Sequence, residues 1–312
     1  MLCVLTGFFL LATGLCVLLF PHRKEAAYQA LQTKEPQSKS LQTQSVHTDP
    51  ELSNYHTVSL KESEIHSGEL ILVNSENEFW DPADETNLVC VFDGKTASYN
   101  VSDKNVEVAS QVLAPLNQML DDFYARYQTD AVLVASGYRS FALQASLLED
   151  EIAQEGSTEA ARWITQPGYS EHHTGLAVDL SIYHTETGLS ESYDGTGIYS
   201  WINENAPRYG FVVRYSAEKQ AVTGIAAEPW HFRYVGVPHA SVMQENGFCL
   251  EEYLSFLQAY AFERQHLRVQ CGDTTYTIYY TDQLDVPVPN DRAYSISGNN
   301  VDGFIVTVTE TT

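Results

Sequence analysis

Ser170-Glu171-His172-His173-Thr174-Gly175-Leu176-Ala177-Val178-Asp179 is the stretch on which the reading of this chain turns. On a helix, the seven residues from His172 to Asp179 would advance about 10 Å. That is too far for both to touch one metal ion, whose donors each lie about 2 Å from it. The chain must therefore double back, and Gly175 permits the turn. From Leu176 to Ser181 the sequence reads as a short strand whose alternation puts Ala177, Asp179 and Ser181 on one face, the small Ala177 leaving room beside the carboxylate. A second stretch, Glu228-Pro229-Trp230-His231, supplies what the first lacks. A catalytic zinc takes three protein ligands and keeps a fourth position for water. His231 would be the third ligand, and Glu228 the general base that takes a proton from water attacking a carbonyl. Pro229 forbids an ordinary helix, and a regular strand would turn Glu228 and His231 to opposite faces. The reading therefore requires a local kink at Pro229.

With 10 histidines and 41 acidic residues, a single His and Asp seven apart carry little information; the conjunction carries more. Ser-x-His-x-x-Gly-x-Ala-x-Asp followed by Glu-x-Trp-His resembles the signature of the VanY-type D-alanyl-D-alanine carboxypeptidases, relatives of the VanX dipeptidases and of the lysostaphin and hedgehog metal-binding fold. The resemblance runs from about Gly68 to Gly236, and weakly through Leu250–Leu254. It implies an α+β domain with a central antiparallel sheet and flanking helices, with His172, Asp179 and His231 holding Zn2+ and Glu228 as catalytic base. His173 falls on a variable position and is not counted as a ligand. The implied reaction is removal of the C-terminal D-alanine from a peptidoglycan stem peptide. An L,D-carboxypeptidase acting on the tetrapeptide shares every one of these motifs, and a D,D-endopeptidase stands further off. A catalytically silent wall-binding protein would have no reason to retain Glu228 beside all three ligands.

Working outward, Leu70–Asn74 and Leu88–Phe92 are apolar runs bounded by turn formers and read as strands. From Asn105 to Tyr127, apolar residues recur at helical spacing through Val112, Leu116, Met119, Leu120 and Phe123. Ala131–Ala135 reads as a strand that delivers Ser136-Gly137-Tyr138-Arg139-Ser140 to the start of a helix running from Phe141 to about Gln154. An arginine at such a junction can simply be solvated, or its planar fork can meet a carboxylate or a developing oxyanion. Ser-Gly-Tyr-Arg-Ser followed by Gln144 looks like the pocket-lining segment of VanY-type enzymes. That resemblance assigns Arg139 and Gln144 to substrate binding or transition-state stabilisation, with Ser170 joining them or acting as a turn cap. Tyr183–Gly197 reads as a polar loop, Ile198–Asn205 as a short helix and Tyr209–Tyr215 as the next strand. Trp163 and Trp201 are read as packing residues and Trp230 as a wall of the site, and neither His184 nor His239 is given a role.

Four regions follow: an apolar segment 1–20, a polar linker 21–63, a catalytic domain 64–262 and a β-rich extension 263–312, whose Thr274–Thr281 and Phe304–Thr309 alternate as strands do. Residues 1–20 are long enough to span a bilayer and lack the charged start and small-residue end of a cleaved signal, so they read as a membrane anchor. Arg23 and Lys24 after the span would by themselves favour a cytoplasmic domain. The implied substrate lies outside, and that location takes priority: a single-pass protein with its catalytic domain facing the wall. At 312 residues and 44% apolar content the chain can bury a substantial core, and a formal charge of -24 argues against a nucleic-acid partner. A monomer is expected. The five cysteines contain no C-x-x-C pair, and Cys249 and Cys271 read as free thiols or one disulfide.

Overall fold

The computed structural model describes residues 44–46, 54–80, 87–160 and 162–310. The segment read as an anchor, and most of the linker, lie outside the described residues. Among the described residues no helix is long and apolar enough to cross a membrane. The strands in chain order are β1 (Gln44–Val46), β2 (Tyr55–Ser59), β3 (Leu88–Cys90), β4 (Asn100–Val101), β5 (Glu107–Ala109), β6 (Val132–Ser136), β7 (Ala177–His184) and β8 (Leu189–Ser192). They continue as β9 (Phe211–Tyr215), β10 (Glu228–Tyr234), β11 (His266–Cys271), β12 (Thr274–Thr281), β13 (Asp285–Pro289), β14 (Ala293–Gly298) and β15 (Phe304–Glu310).

A mixed α/β fold results. Its first sheet has the order β4-β6-β7-β10-β9, with β8 forming a hairpin on β7 and only the β4–β6 pair parallel. On β7 the even-numbered residues Val178, Leu180 and Ile182 enter the core, so Ala177, Asp179 and Ser181 are turned to the opposite face, as the period of two dictates. The helix Ser110–Tyr127 covers the apolar side with Val112, Leu116, Met119, Leu120 and Phe123, the residues that the helical spacing singles out. A second sheet, β1-β11-β12-β15-β14, is antiparallel throughout. One of its faces packs Leu267, Ile278 and Ile305 against the helices Val237–Asn246 and Leu250–Leu257. Tyr279, Val306 and Val308 pack with Phe262 and with Val286 and Val288 of β13. The β-rich tail thus buries a common core with the helices that follow β10.

Several local readings need correction. The run Leu88–Phe92 is a strand only to Cys90, where the short helix Val91–Gly94 begins, and the helix read from Asn105 starts at Ser110 after β5. Leu70–Asn74 is not a strand: Leu70, Ile71, Leu72 and Val73 are buried, but their backbone is satisfied by tertiary partners rather than by a ladder. The Leu72 amide donates to the Asn299 carbonyl, the Leu72 carbonyl accepts from Asn300 Nδ2, and those of Glu69 and Ile71 accept from Arg233. Tyr55–Ser59, inside the stretch read as linker, pairs antiparallel with β13 over five positions. Tyr183–Gly197 holds the β7–β8 hairpin rather than being wholly loop, and its four β8 residues are all exposed.

Candidate metal centre

Ser170 begins the site as a cap. Its Oγ accepts from the His172 amide at 3.3 Å and starts a single 3-10 turn, Glu171–Thr174, which Gly175 ends in the left-handed conformation at φ 68°. The turn is what lets His172 come back over β7. The Nδ1 of His172 lies 2.6 Å from the Gly137 carbonyl. A carbonyl can only accept, so Nδ1 carries the proton and Nε2 keeps its lone pair. That Nε2 stands 3.2 Å from Asp179 Oδ2.

His231 and Asp179 are direct cross-strand partners in the antiparallel β7–β10 pair. His231 Nδ1 lies 3.1 Å from Asp179 Oδ1. One donor atom each from His172, Asp179 and His231 falls within 4.8 Å of the others. His172 Nε2 and Asp179 Oδ1 are both buried and have no hydrogen-bond partner among the described residues. Buried polar atoms are rarely left so, and two imidazole nitrogens with one carboxylate oxygen are a donor set that suits zinc. The residues present therefore fit the ion.

The required break exists as a register shift in the stretch Glu228–Phe232, which contains Pro229. Between Glu228 and Phe232 the β9–β10 register shifts: Glu228 faces Tyr215 while Phe232 faces Val213, so four steps on β10 match two on β9. The slack turns Glu228 to the side of His231, with Oε2 3.7 Å from Nδ1, and Glu228 is buried.

Arg139 reaches the site from the turn after β6. Its amide donates to the His172 carbonyl at 3.1 Å, and its guanidinium donates from NH1 to Gln144 Oε1 at 3.1 Å and from NH2 to Asp179 Oδ2 at 3.4 Å. Its Nε is buried with no hydrogen-bond partner among the described residues. Gln144 is buried, and its own Nε2 donates to the Thr165 carbonyl at 2.9 Å, so both ends of its amide are engaged within the protein. His173, as expected, is turned away from the cluster. It accepts from the Gly168 amide at 3.0 Å, which leaves Nδ1 to donate to the Arg139 carbonyl at 2.7 Å, and it stacks on Phe141.

Burial, together with the Arg139 guanidinium, pushes His172 down to about 4. Burial would raise Asp179, yet the two imidazoles hold it well below the usual carboxylate range. Both residues are thus in the form that binds metal. For His231 burial works downward but is outweighed by the carboxylates of Asp179 and Glu171, which hold it at about 9 in the metal-free chain, so a bound metal must displace its Nδ1 proton.

A family model described as VanY, D-alanyl-D-alanine carboxypeptidase, matches residues 105–237, the span that holds every one of these groups. A D-alanyl-D-alanine carboxypeptidase of Enterococcus faecium is 34% identical over 260 residues, covering 82% of this chain and 80% of that protein. This chain belongs to the VanY family. A second D-alanyl-D-alanine carboxypeptidase, from Enterococcus faecalis, is 29% identical over 259 residues, 79% of this chain and 88% of the relative. Among solved structures, the vancomycin resistance D,D-dipeptidase VanXYg in complex with a D-Ala-D-Ala phosphinate analog superposes with a TM-score of 0.73 at 33% identity, covering 82% of this chain and 99% of that one.

In this VanY-family chain, residues at positions that the motif leaves open surround the centre. Glu171 is fully buried, and its Oε2 lies 3.3 Å from His231 Nε2. Arg214 and Arg233, also buried, each donate to Glu171 Oε1 at 2.8 Å. None of the three is singled out by motif spacing. The available signal was an arginine inside the otherwise apolar strand Phe211–Tyr215 and another between Phe232 and Tyr234, because a buried guanidinium requires an acid. Of the residues given no role, His184 is an exposed partner of Glu191, and His239 is buried between Tyr253 and Thr307. Trp201 packs against Phe123, and Trp163 stacks on Trp230. Cys249 and Cys271 are free thiols.

Proposed function

We propose that the chain is a zinc-dependent D,D-carboxypeptidase that hydrolyses the last peptide bond of a peptidoglycan stem peptide and releases D-alanine. The observation that carries this reading is the register shift in Glu228–Phe232, which brings Glu228 beside His231 on the face that holds Asp179. His172 Nε2, Asp179 and His231 Nδ1 would hold the zinc. The bound ion supplies a Lewis acid for the scissile carbonyl and lowers the pKa of water at neutral pH. Glu228 takes the proton of the attacking water on its carboxylate and passes it to the leaving amine. Arg139 has a buried Nε–H with no acceptor among the described residues, a donor suited to the substrate carboxylate or the developing oxyanion. Gln144 holds Arg139, and Ser170 caps the turn that carries His172.

The location is part of the same proposal: residues 1–20 anchor the chain, and the catalytic domain works as a monomer on the outer face of the membrane, where stem peptides are. The test is product analysis of defined pentapeptide and tetrapeptide stems, with and without a chelator. Chelator-sensitive release of one alanine from the pentapeptide is expected, and release from the tetrapeptide alone would replace this reading with an L,D-carboxypeptidase. Glu228→Gln should keep its zinc and lose roughly 10²–10⁴-fold in kcat. Turnover within tenfold of the parent would sink the assignment of Glu228.

A further inference from the structure

His231 has two ring nitrogens, and the metal-binding reading uses only Nδ1. The other, Nε2, points to Glu171 Oε2 at 3.3 Å. Glu171 itself sits in a set of charges of which only Glu251 is partly exposed, Arg214 and Arg233 being buried. Its Oε1 accepts from Arg214 Nε and from Arg233 NH1, both at 2.8 Å. The remaining donors of Arg214 form a fork on Glu251, NH1 to Oε2 at 3.0 Å and NH2 to Oε1 at 2.7 Å. Those of Arg233 go to the carbonyls of Glu69, Ile71 and Tyr234. Two carboxylates and two guanidiniums cancel in charge, and every guanidinium nitrogen has an acceptor.

The division of labour on Glu171 is informative. A carboxylate serving the arginines alone would offer them both oxygens, as Glu251 does to Arg214. Here both arginines converge on Oε1, and Oε2 is left to the imidazole. We propose that Glu171 is a positioning residue for the metal centre: it accepts the Nε2 proton of His231, fixes the tautomer that turns the Nδ1 lone pair toward Asp179, and makes that nitrogen a stronger donor to zinc. The inference rests on the metal-binding reading given above. Outer partners of this kind fix ring orientation and ligand basicity in metal sites. The Glu251 fork ties Arg214 to the helix Leu250–Leu257.

The test uses the full chain in detergent. With cadmium-113 in the wild-type protein, NMR couplings from the metal to the ring protons report which nitrogen binds. His231 should couple through Hε1 alone, the pattern of Nδ1 coordination, and should retain a slowly exchanging Nε2 proton. Coupling of His231 to both Hδ2 and Hε1 would place the metal on Nε2 and overturn the proposal whether or not any variant folds. Zinc affinity is then measured by chelator competition for Glu171→Gln and Glu251→Gln. The first should bind zinc about tenfold to a hundredfold more weakly. The second disturbs the same charge set without touching His231, and its affinity should stay within twofold of wild type. Equal loss in the two variants, or unchanged affinity in Glu171→Gln, overturns the role given to Glu171 while leaving the zinc reading intact. Absence of any metal binding by the wild-type protein would overturn both.

Discussion

Replacing Gln144 by leucine separates two roles that the residue could have, touching substrate or holding Arg139. The volume is nearly preserved, so the helix Phe141–Glu155 should keep its packing. What disappears is the acceptor for Arg139 NH1 at 3.1 Å and the donor to the Thr165 carbonyl at 2.9 Å. A hydrogen bond to a charged group is worth about 1.5–3 kcal/mol. The guanidinium would then be held by Asp179 alone, at 3.4 Å, well beyond the 2.7–2.9 Å typical of a strong charge-assisted bond. If that energy now holds Arg139 in its working orientation, kcat/KM should fall about 10- to 150-fold, at about 1.4 kcal/mol per tenfold. Zinc content should be unchanged, because the hydrogen bonds of Gln144 go to Arg139 and the Thr165 carbonyl and not to a ligand residue. The assay is D-alanine release from a linear pentapeptide stem by Gln144→Leu, Arg139→Ala and the double variant. Because Gln144 acts through Arg139, the double variant should be no worse than Arg139→Ala. Losses that multiply, or a Gln144→Leu enzyme within twofold of the parent, would refute the reasoning.

Two further outcomes are expected. Gly175→Ala places a Cβ at 2.9 Å from the Ala109 backbone nitrogen in a left-handed conformation that L-residues resist by about 1–2 kcal/mol. It should lower Tm by several degrees and reduce zinc retention through displacement of His172, and full zinc retention at an unchanged Tm would show that the turn tolerates a side chain. Burial holds His239 down to about 3, against about 6.5 in an unfolded chain. The unfolded state therefore binds the proton first, so the contribution is complete above about pH 6.5 and is lost as pH falls toward 3, roughly 2 kcal/mol of it by pH 5. At about 2–4 °C per kcal/mol, the wild-type Tm should fall between pH 7.5 and 5 by about 4–8 °C more than that of His239→Gln, and parallel Tm curves would reject this assignment.

The motif was legible because its geometry admits few residue types. A chain that must turn back between two ligands needs a glycine at the turn, and a carboxylate aimed from a strand needs a small neighbour on its face. Gly175 and Ala177 satisfy those demands within ten residues of each other. The need for a break at Pro229 was legible for the same reason, as a contradiction between strand periodicity and the common side required of Glu228 and His231. The form of the break was not. It depends on two residues of slack against β9, and the register of β9 is set by its own core contacts. The apolar run Leu70–Val73 fails as a strand for a related cause: its backbone partners, Asn299 and Asn300, lie more than 200 positions away and offer side-chain and loop groups instead of a ladder.

Glu171 marks the limit most clearly. Between Ser170 and His172 it occupies a position where a solvated acid is the ordinary expectation, and 41 acidic residues give no reason to select it. Arg214 and Arg233 do carry a demand, since each is buried between apolar or aromatic residues on its strand and a guanidinium there must meet a carboxylate. The demand names a residue type and not a residue. It is met 43 and 62 positions away along the chain, because β9 and β10 are sheet neighbours and β7, fed by the turn that holds Glu171, pairs with β10 on its other side. The strand order that aligns His231 with Asp179 is therefore the same one that brings two arginines to the acid behind His231. A substitution that shifted the β7–β10 register by one residue would separate the ligand pair and strand those charges together.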